Sequence, residues 1–595
     1  MIETEQIQQS RSIRSTLLPY AGGTSLGLGL WLTFNNFHIM PAGLLVLALF
    51  LILAGSGYLI LKAWKHRNSL KKILDHFILP LSFGLGLAVL LLLFEHFLAY
   101  LRFPYPLEDG EGFVLNQAVL LARHQQLYPP INEPPYIVTN YPPFYQLILS
   151  WFTDPLHPDL IKGRIISVFA SILLMASVGG TVGSITRNKW AGIISSILVA
   201  SSPVIYFWGA LLRVDLLASA LSMLGIWIVA SRQGPNRYFA VIPLVAAIYT
   251  RQSSVEAIAA IVIGSFLITG PADDKMRSDR LFSVFFALSW LFVCATIFLI
   301  LQSSTNGEFF RHIVTYTRTQ FFPERVLSSL KWILPSHALI IVLAILAFPR
   351  ALFNRHRLIP AIFFIGAICT ALLSGKVGSD LNYFINLIAA SAVLGGFFFH
   401  DISELTLRDS KPVAVMVLAL LLVPGAIVQS GLFEGDRNFS FTPQQEDYRA
   451  GEIVAGELAQ HNGMILSEDE GFTLLSGHEV VFNPFIMSEL ARENIWDEND
   501  FVDAIENKMY DTIMLRFYVN DPNNDDKPGE GSNAGWDRWT PAMEYAIQQN
   551  YRLDTNVSPI FMRRYWFIYR PIPDQVYDFS NNEDEGPHGT DLLGE

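Results

Sequence analysis

Three carboxylates stand within four positions, Glu108, Asp109 and Glu111, in YPLEDGEGFVLNQ (105–117). They directly follow the apolar run HFILPLSFGLGLAVLLLLFEHFLAYL. Carboxylates at this spacing suit two kinds of chemistry. One is general base catalysis, in which an ionised oxygen within hydrogen-bond reach takes the proton of an acceptor hydroxyl. The other is capture of a divalent cation, Mg²⁺ or Ca²⁺, by oxygens held close together. A solvated turn around Gly110 and Gly112 would carry the same residues with no chemistry at all.

Further along the chain, polar residues recur between apolar runs. Arg213 and Asp215 lie in GALLRVDLLA, Arg251 and Gln252 in YTRQSS, and Arg311, His312 and Arg318 in FFRHIVTYTRTQFF. Lys376, Asp380, Asn382 and Tyr383 lie in GKVGSDLNYF. Each has an ordinary explanation taken singly. An arginine at the end of a span snorkels to the interface, and Arg213 with Asp215 makes an ion pair between neighbouring helices. His124 and His312 lack metal-ligand spacing, and the aromatics of NYPPFY (140–145), Tyr141 among them, suit an interfacial belt. What single explanations leave over is the recurrence of carboxylates and guanidiniums at one membrane depth. A sugar linked to a lipid phosphate would use both sets. The departing phosphate needs cationic donors, a role for Arg213, Arg251, Arg318 and Lys376, and the acceptor hydroxyl needs a base, a role for Glu108, Asp109 or Glu111. Asp215, Tyr141, Gln252, Asn382 and Tyr383 would line the substrate cavity.

The elements that must position these residues are membrane spans. Half of the 595 residues are hydrophobic, 16% are charged, and the net charge of −12 argues against nucleic acid as a partner. Runs near the length of a span fall at 17–37, 43–63, 78–101, 164–185, 189–208, 213–231, 238–250, 253–270, 281–302, 331–349, 358–374, 381–400 and 412–430, which predicts about 13 transmembrane helices. The basic loops at 62–72, 187–189, 231–237, 275–280 and 349–357 then share one side, which places the N-terminus in the cytoplasm. Three larger pieces lie on the other side: the loop 102–163, the loop 303–330 and the region after 430. Short β-like runs (MILSE, EVVFN, DTIMLRFYV, YWFIYR) alternate there with helix-like ones, so a small extracytoplasmic α/β domain is expected over 431–572, with an acidic disordered tail over 573–595. Cys294 and Cys369 both sit in apolar runs and point to no disulfide framework.

The text LEDGEGFVLNQAVLLARHQQLYPP followed by TNYPPFYQLILSWF resembles the GT-C superfamily of integral-membrane glycosyltransferases, in particular the protein mannosyltransferase and aminoarabinose transferase group. LLRVDLLASAL, YTRQSSVEA and GSDLNYFINLIAAS resemble the further polar landmarks of such chains. The resemblance covers the chain after about residue 76, leaving 1–75 as an additional helix hairpin with a basic loop and 76–430 as the transmembrane core. It implies a polyprenyl-phosphate sugar donor, a glycan, lipid or protein acceptor, inverting transfer, an acidic catalytic residue in the loop 102–163, and residence in a bacterial inner membrane. It also implies short helices at the interface, one over QAVLLARHQQL. The acidic register departs from the family pattern, so the base stays open among Glu108, Asp109 and Glu111. A transporter or flippase for a lipid-linked or anionic substrate is the competing reading. Such a protein more often carries its charges near the membrane midplane between paired repeats.

Overall fold

A computed structural model describes residues 79–268, 274–405, 442–517, 519, 538–560 and 564–573, with isolated positions at 24, 25, 28 and 55. The expected spans 17–37, 43–63 and 412–430 and the expected tail 573–595 therefore lie almost wholly outside the described residues. Among the described residues, and apart from the single turn Glu308–Phe310, the membrane-type part runs through α1 (Leu79–Arg102), α2 (Asp109–Ala122), α3 (Phe144–Ser150), α4 (Ile161–Thr186), α5 (Lys189–Ala200), α6 (Pro203–Trp208), α7 (Val214–Ser231), α8 (Val241–Thr250), α9 (Glu256–Leu267), α10 (Asp274–Ser304), α11 (Pro323–Leu352), α12 (Leu358–Leu372) and α13 (Ile385–Leu405). Among the described residues six stretches are long and apolar enough to cross a membrane: Phe83–Arg102, Ile161–Thr186, Val214–Ser231, Ser278–Ser304, Leu358–Gly375 and Leu381–Ile402. A seventh crossing would be α11, which bends by 83° between Ala338 and Ile340 and carries Pro335, a residue that removes one backbone hydrogen bond from the helix.

Three expected spans take another form, and of these 253–270 is only α9, twelve residues, about 18 Å, short of a bilayer core. The run 189–208 is divided into α5 and α6, because Ser202 caps a new helix whose first residue is Pro203. The run 238–250 opens as a 3₁₀ turn, Gly234–Ala240, and leaves α8 with ten residues, about 15 Å, half of what a bilayer core needs.

Helix α4 packs on α5 and α7, α11 on α13, and α9 on α12. By contrast, α10 turns Leu288, Phe292, Leu299 and Ile300 outward, as a helix does whose neighbour on that face is lipid. At one end of the bundle Arg187, Arg232, Arg237 and Arg355, from three of the expected basic loops, line a single cavity of ≈ 910 Å³. The loop 102–163 stands at the opposite end, since Arg164 and Arg213 begin the helices that Arg187 and Arg232 close.

Residues 442–573 form an α/β unit. It comprises α14 (Gln445–Ala459), α15 (Glu470–Leu475), α16 (Pro484–Arg492), α17 (Asn499–Glu506) and α18 (Pro541–Asn550) around strands β1 (Ile465–Ser467), β2 (Thr512–Leu515), β3 (Tyr551–Ile560) and β4 (Arg564–Pro571). The sheet order is β1-β2-β4-β3, with β1 and β2 parallel and the remaining pairs antiparallel. EVVFN stays outside this sheet and instead makes one parallel bridge, Phe482 to Tyr136, with the loop 102–163. The unit is fused to the bundle by a shared core, in which Phe103 and Leu107 of the loop are continuous with Val454, Phe472, Met514 and Trp566. Where α2 meets α15, Gly112 faces Gly471 so closely that a Cβ on Gly112 would fall 2.1 Å from the Gly471 nitrogen.

Candidate active site

Helix α2 starts on the acidic triplet itself, earlier than the stretch QAVLLARHQQL suggested. Glu108 is its N-cap, with extended backbone (φ −148°, ψ 147°) and a carboxylate that accepts from the Gly110 N–H at 2.9 Å. Asp109 and Glu111 fill the first turn, where the helix dipole favours negative charge. Helical geometry then sends the three acids in three directions.

Glu111 points into the bundle and is fully buried beside Arg164, itself fully buried. Its Oε1 accepts from Arg164 Nε at 2.8 Å and Leu212 N at 2.9 Å, and its Oε2 from Arg164 Nη2 and Leu107 N, both at 2.7 Å. The other Arg164 N–H groups go to the carbonyls of Tyr100 (2.8 Å), Phe103 and Tyr105 (2.7 Å). A buried ion pair tolerates its desolvation only with such complete hydrogen bonding. The expectation of Glu111 as a base thus meets a carboxylate whose four hydrogen-bonding positions are filled, and which is absent from the cavity wall described below.

Asp109 points toward the α/β unit. It is gripped by Arg516, whose Nη1 donates at 2.7 Å and whose Nη2 also donates, and by Arg538. Glu108 points the third way, toward α7. Its Oε2 lies 3.0 Å from Arg213 Nη1 and begins an alternating chain of charge. Arg213 Nε stands 3.5 Å from Asp215, and Asp215 Oδ1 accepts from Arg251 at 2.9 Å and from Asn382 at 2.8 Å. Arg251 lies over the Tyr383 ring, 4.1 Å from its centroid. Arg213 also donates to the Tyr141 hydroxyl at 3.3 Å, and desolvation pushes that phenol up to about 12, so it remains protonated.

Glu108, Asp109, Tyr141 and Arg213 line one cavity of ≈ 150 Å³, closed from the other side by Glu468, Glu470, Asn483, Phe485 and Arg538 of the α/β unit. Arg251, Asp215, Asn382 and Tyr383 connect behind that wall rather than in it. Lys376 stands two residues before the wall residue Gly378. Its Nζ, half-buried, donates to the Thr317 carbonyl at 3.3 Å, which uses one of its three N–H groups. Gln252 ties down the loop by donating to the carbonyls of Asn140 and Ile313 at 3.0 and 3.2 Å. Arg318 is exposed and away from the cavity wall, and Arg311 pairs with Glu308. His312 is a satisfied core histidine: Nδ1 accepts from Thr139 N, Nε2 donates to the Pro129 carbonyl, and burial pushes it down to about 4. His124 lies exposed at the end of the α2 turn.

A divalent cation does not fit this donor set. The charge of each acid in the triplet is met by a guanidinium, and among the described residues no group of three or more His, Cys, Asp or Glu side chains is placed to hold a metal ion.

No protein-family model and no curated protein matches the sequence. Solved structures match its fold. ArnT from Cupriavidus metallidurans in the apo state superposes at a TM-score of 0.53 with 11% identity, covering 81% of this chain and 97% of that one. The same protein bound to undecaprenyl phosphate gives 0.52, 12%, 81% and 97%. The chain has the GT-C fold. An oligosaccharyltransferase from Archaeoglobus fulgidus matches at 0.45 and 11%, covering 71% and 67%.

Within the GT-C fold of this chain, several site residues carried no signal in their neighbourhood. Arg164 stands at the head of an apolar run and looks like an anchor. Arg516 and Arg538 lie 407 and 429 positions from Asp109. One textual signal exists: EDEGF (468–472) repeats the order of EDGEGF (108–113), and these two segments face each other across the Gly112–Gly471 contact.

Proposed function

We propose that the chain transfers a sugar from a polyprenyl-phosphate-linked donor to an acceptor hydroxyl at the outer membrane surface, with inversion and with Glu108 as base. The observation that supports this most is the placement of Glu108 in a cavity wall with Arg213 and Tyr141, backed by Asp215 and Arg251, in a fold shared with a protein whose structure holds undecaprenyl phosphate. Of the three acids, Glu111 is saturated and Asp109 is clamped by two arginines, so Glu108 is the acid best placed to accept a proton.

In the step itself the acceptor oxygen bonds to the anomeric carbon as its proton passes to Glu108. The bond from that carbon to the phosphate oxygen breaks, and its electron pair leaves with the polyprenyl phosphate. Lys376, whose ammonium is the least committed cation near the cavity, and Arg213 stabilise that developing charge. Arg251 holds Asp215 and thereby Arg213 in place. Arg318, exposed on its loop, takes no part in the step.

The test is incubation of the purified protein with a panel of polyprenyl-phosphate sugars together with candidate glycan, lipid and protein acceptors, followed by the appearance of glycosylated acceptor and free polyprenyl phosphate. Release from at least one donor is expected. Absence of release from every donor, together with movement of a lipid or solute across vesicles, would replace the enzyme with a transporter.

A further inference from the structure

Half of the cavity wall comes from the far end of the chain. Glu468, Glu470, Asn483, Phe485 and Arg538 face the start of α2. Among the acids here, Glu108 has Arg213, Asp109 has Arg516 and Arg538, and Glu468 accepts from the Trp539 indole at 2.9 Å and the Arg516 backbone. Glu470 differs. One oxygen accepts from the Asn483 side-chain amide, whereas Oε2, shielded from bulk water, has no hydrogen-bond partner among the described residues. A buried oxygen left in that state costs about 1–3 kcal/mol, a cost that a bound molecule supplying the partner would remove.

The size and chemistry of the cavity limit that molecule. At ≈ 150 Å³ it falls below the roughly 300–1,000 Å³ of sites for drug-sized ligands, so a single ring is the scale. Phe113 and Phe485 offer apolar faces beside carboxyl and amide groups, a combination suited to a polyol with one apolar side. We propose that Glu470 is an acceptor-binding residue, whose Oε2 carries a proton and donates it in a hydrogen bond to an oxygen of a neutral saccharide ring seated in this cavity. The α/β unit then selects the acceptor while the bundle handles the lipid phosphate. This rests on the transferase reading, since the same wall carries Glu108.

Proton occupancy follows from the surroundings. Burial is the largest influence and pushes the carboxyl up; Asp469 and Asp109 push the same way, while Asn483 and Arg538 oppose, leaving it at about 8. Glu108, Glu468 and Arg213 complete the charged groups around the cavity. The carboxyl is therefore a donor at neutral pH and ceases to be one as pH rises through about 8.

The experiment uses the full chain in lipid nanodiscs, without donor, and reads binding of the methyl pyranosides of glucose, galactose and mannose by saturation-transfer NMR. At least one is expected to bind at pH 6.5 and to bind about tenfold more weakly at pH 9, as the protonated fraction falls. Glu470→Gln, whose amide also donates, should bind at both pH values without that weakening, and Glu470→Leu should bind at neither. Wild-type binding by Glu470→Leu, a pH-dependent loss that persists in Glu470→Gln, or no binding of any pyranoside to the wild type would overturn the proposal. Release of polyprenyl phosphate from donor lipid is scored separately. Its absence beside intact pyranoside binding would remove the transferase reading and leave the saccharide site standing.

Discussion

Glu108 and Glu111 lie three residues apart at the start of one helix, and each faces an arginine, yet their surroundings differ in kind. The Glu111–Arg164 pair is sealed inside the bundle with every hydrogen-bonding position filled, and it ties the loop to the heads of α4 and α7. The Glu108–Arg213 pair stands in a cavity wall, 24% and 12% exposed, and continues into a chain of charge that ends on Arg251. The difference teaches that the same ion pair is a sealed tie in one place and, in the proposed reaction, a base beside its cation in the other. What separates them is access to a space where a reactant fits.

The sharpest way to break that contrast is to remove the sealed partner. Arg164→Ala leaves Glu111 charged and unpaired in the bundle, and should destabilise the fold by about 3–5 kcal/mol. Thermal unfolding in detergent should show a large drop, with activity and folded protein lost together. On the cavity side the expected separation is between activity and stability. Lys376→Met should lower turnover about 10²–10³-fold with little change in unfolding temperature, whereas Arg318→Ala should leave turnover within about twofold of wild type. Steady-state release of polyprenyl phosphate measures both.

Smaller effects sharpen the account of how the α/β unit is held. Arg516 and Arg538 share Asp109, so Arg516→Ala leaves one clamp in place and should cost about 1–2 kcal/mol, visible as faster limited proteolysis of the region after 442. His312 should respond to pH alone. Its folded value of about 4 lies below the ordinary 6.5, so the unfolded chain takes up the proton first. Stability is then full above about 6.5 and declines as pH falls toward 4. An unfolding series over that window should lose one proton's worth of dependence in His312→Gln.

Much of this was legible from text. The basic loops and the acidic loop 102–163 read as lying on opposite sides, and the helices α4 and α7 place Arg187 and Arg232 at the end opposite Arg164 and Arg213. His312, read from the sequence only as lacking metal-ligand spacing, is a buried residue with two backbone partners that no local pattern announced. The roles within the triplet were not readable, because they depend on where a helix starts. Only when Glu108 is seen as an N-cap does Glu111 fall on the inward face and meet an arginine 53 positions later. Arg213 and Asp215 read as an ion pair between neighbouring helices; they stand two residues apart at the start of α7, and their shorter contacts go to Glu108 and Arg251, since an extended Arg213 ahead of α7 turns the two side chains to different neighbours. The partners of Asp109 lie more than 400 positions away, and the second half of the cavity comes from residues 468 to 538, so no local pattern encodes either. Strand β3 was missed, and its run YRLDTNVSPI shows why: it mixes polar and apolar residues without a clean alternation.

The central claim is that Glu108 reacts and Glu111 positions. It is tested most directly by measuring, side by side, sugar transfer from a polyprenyl-phosphate donor and thermal unfolding for Glu108→Gln and Glu111→Gln. Glu108→Gln should unfold like the wild type and lose about 10²–10⁴-fold in transfer, while Glu111→Gln should unfold at clearly lower temperature. Wild-type transfer by a stably folded Glu108→Gln would contradict the account.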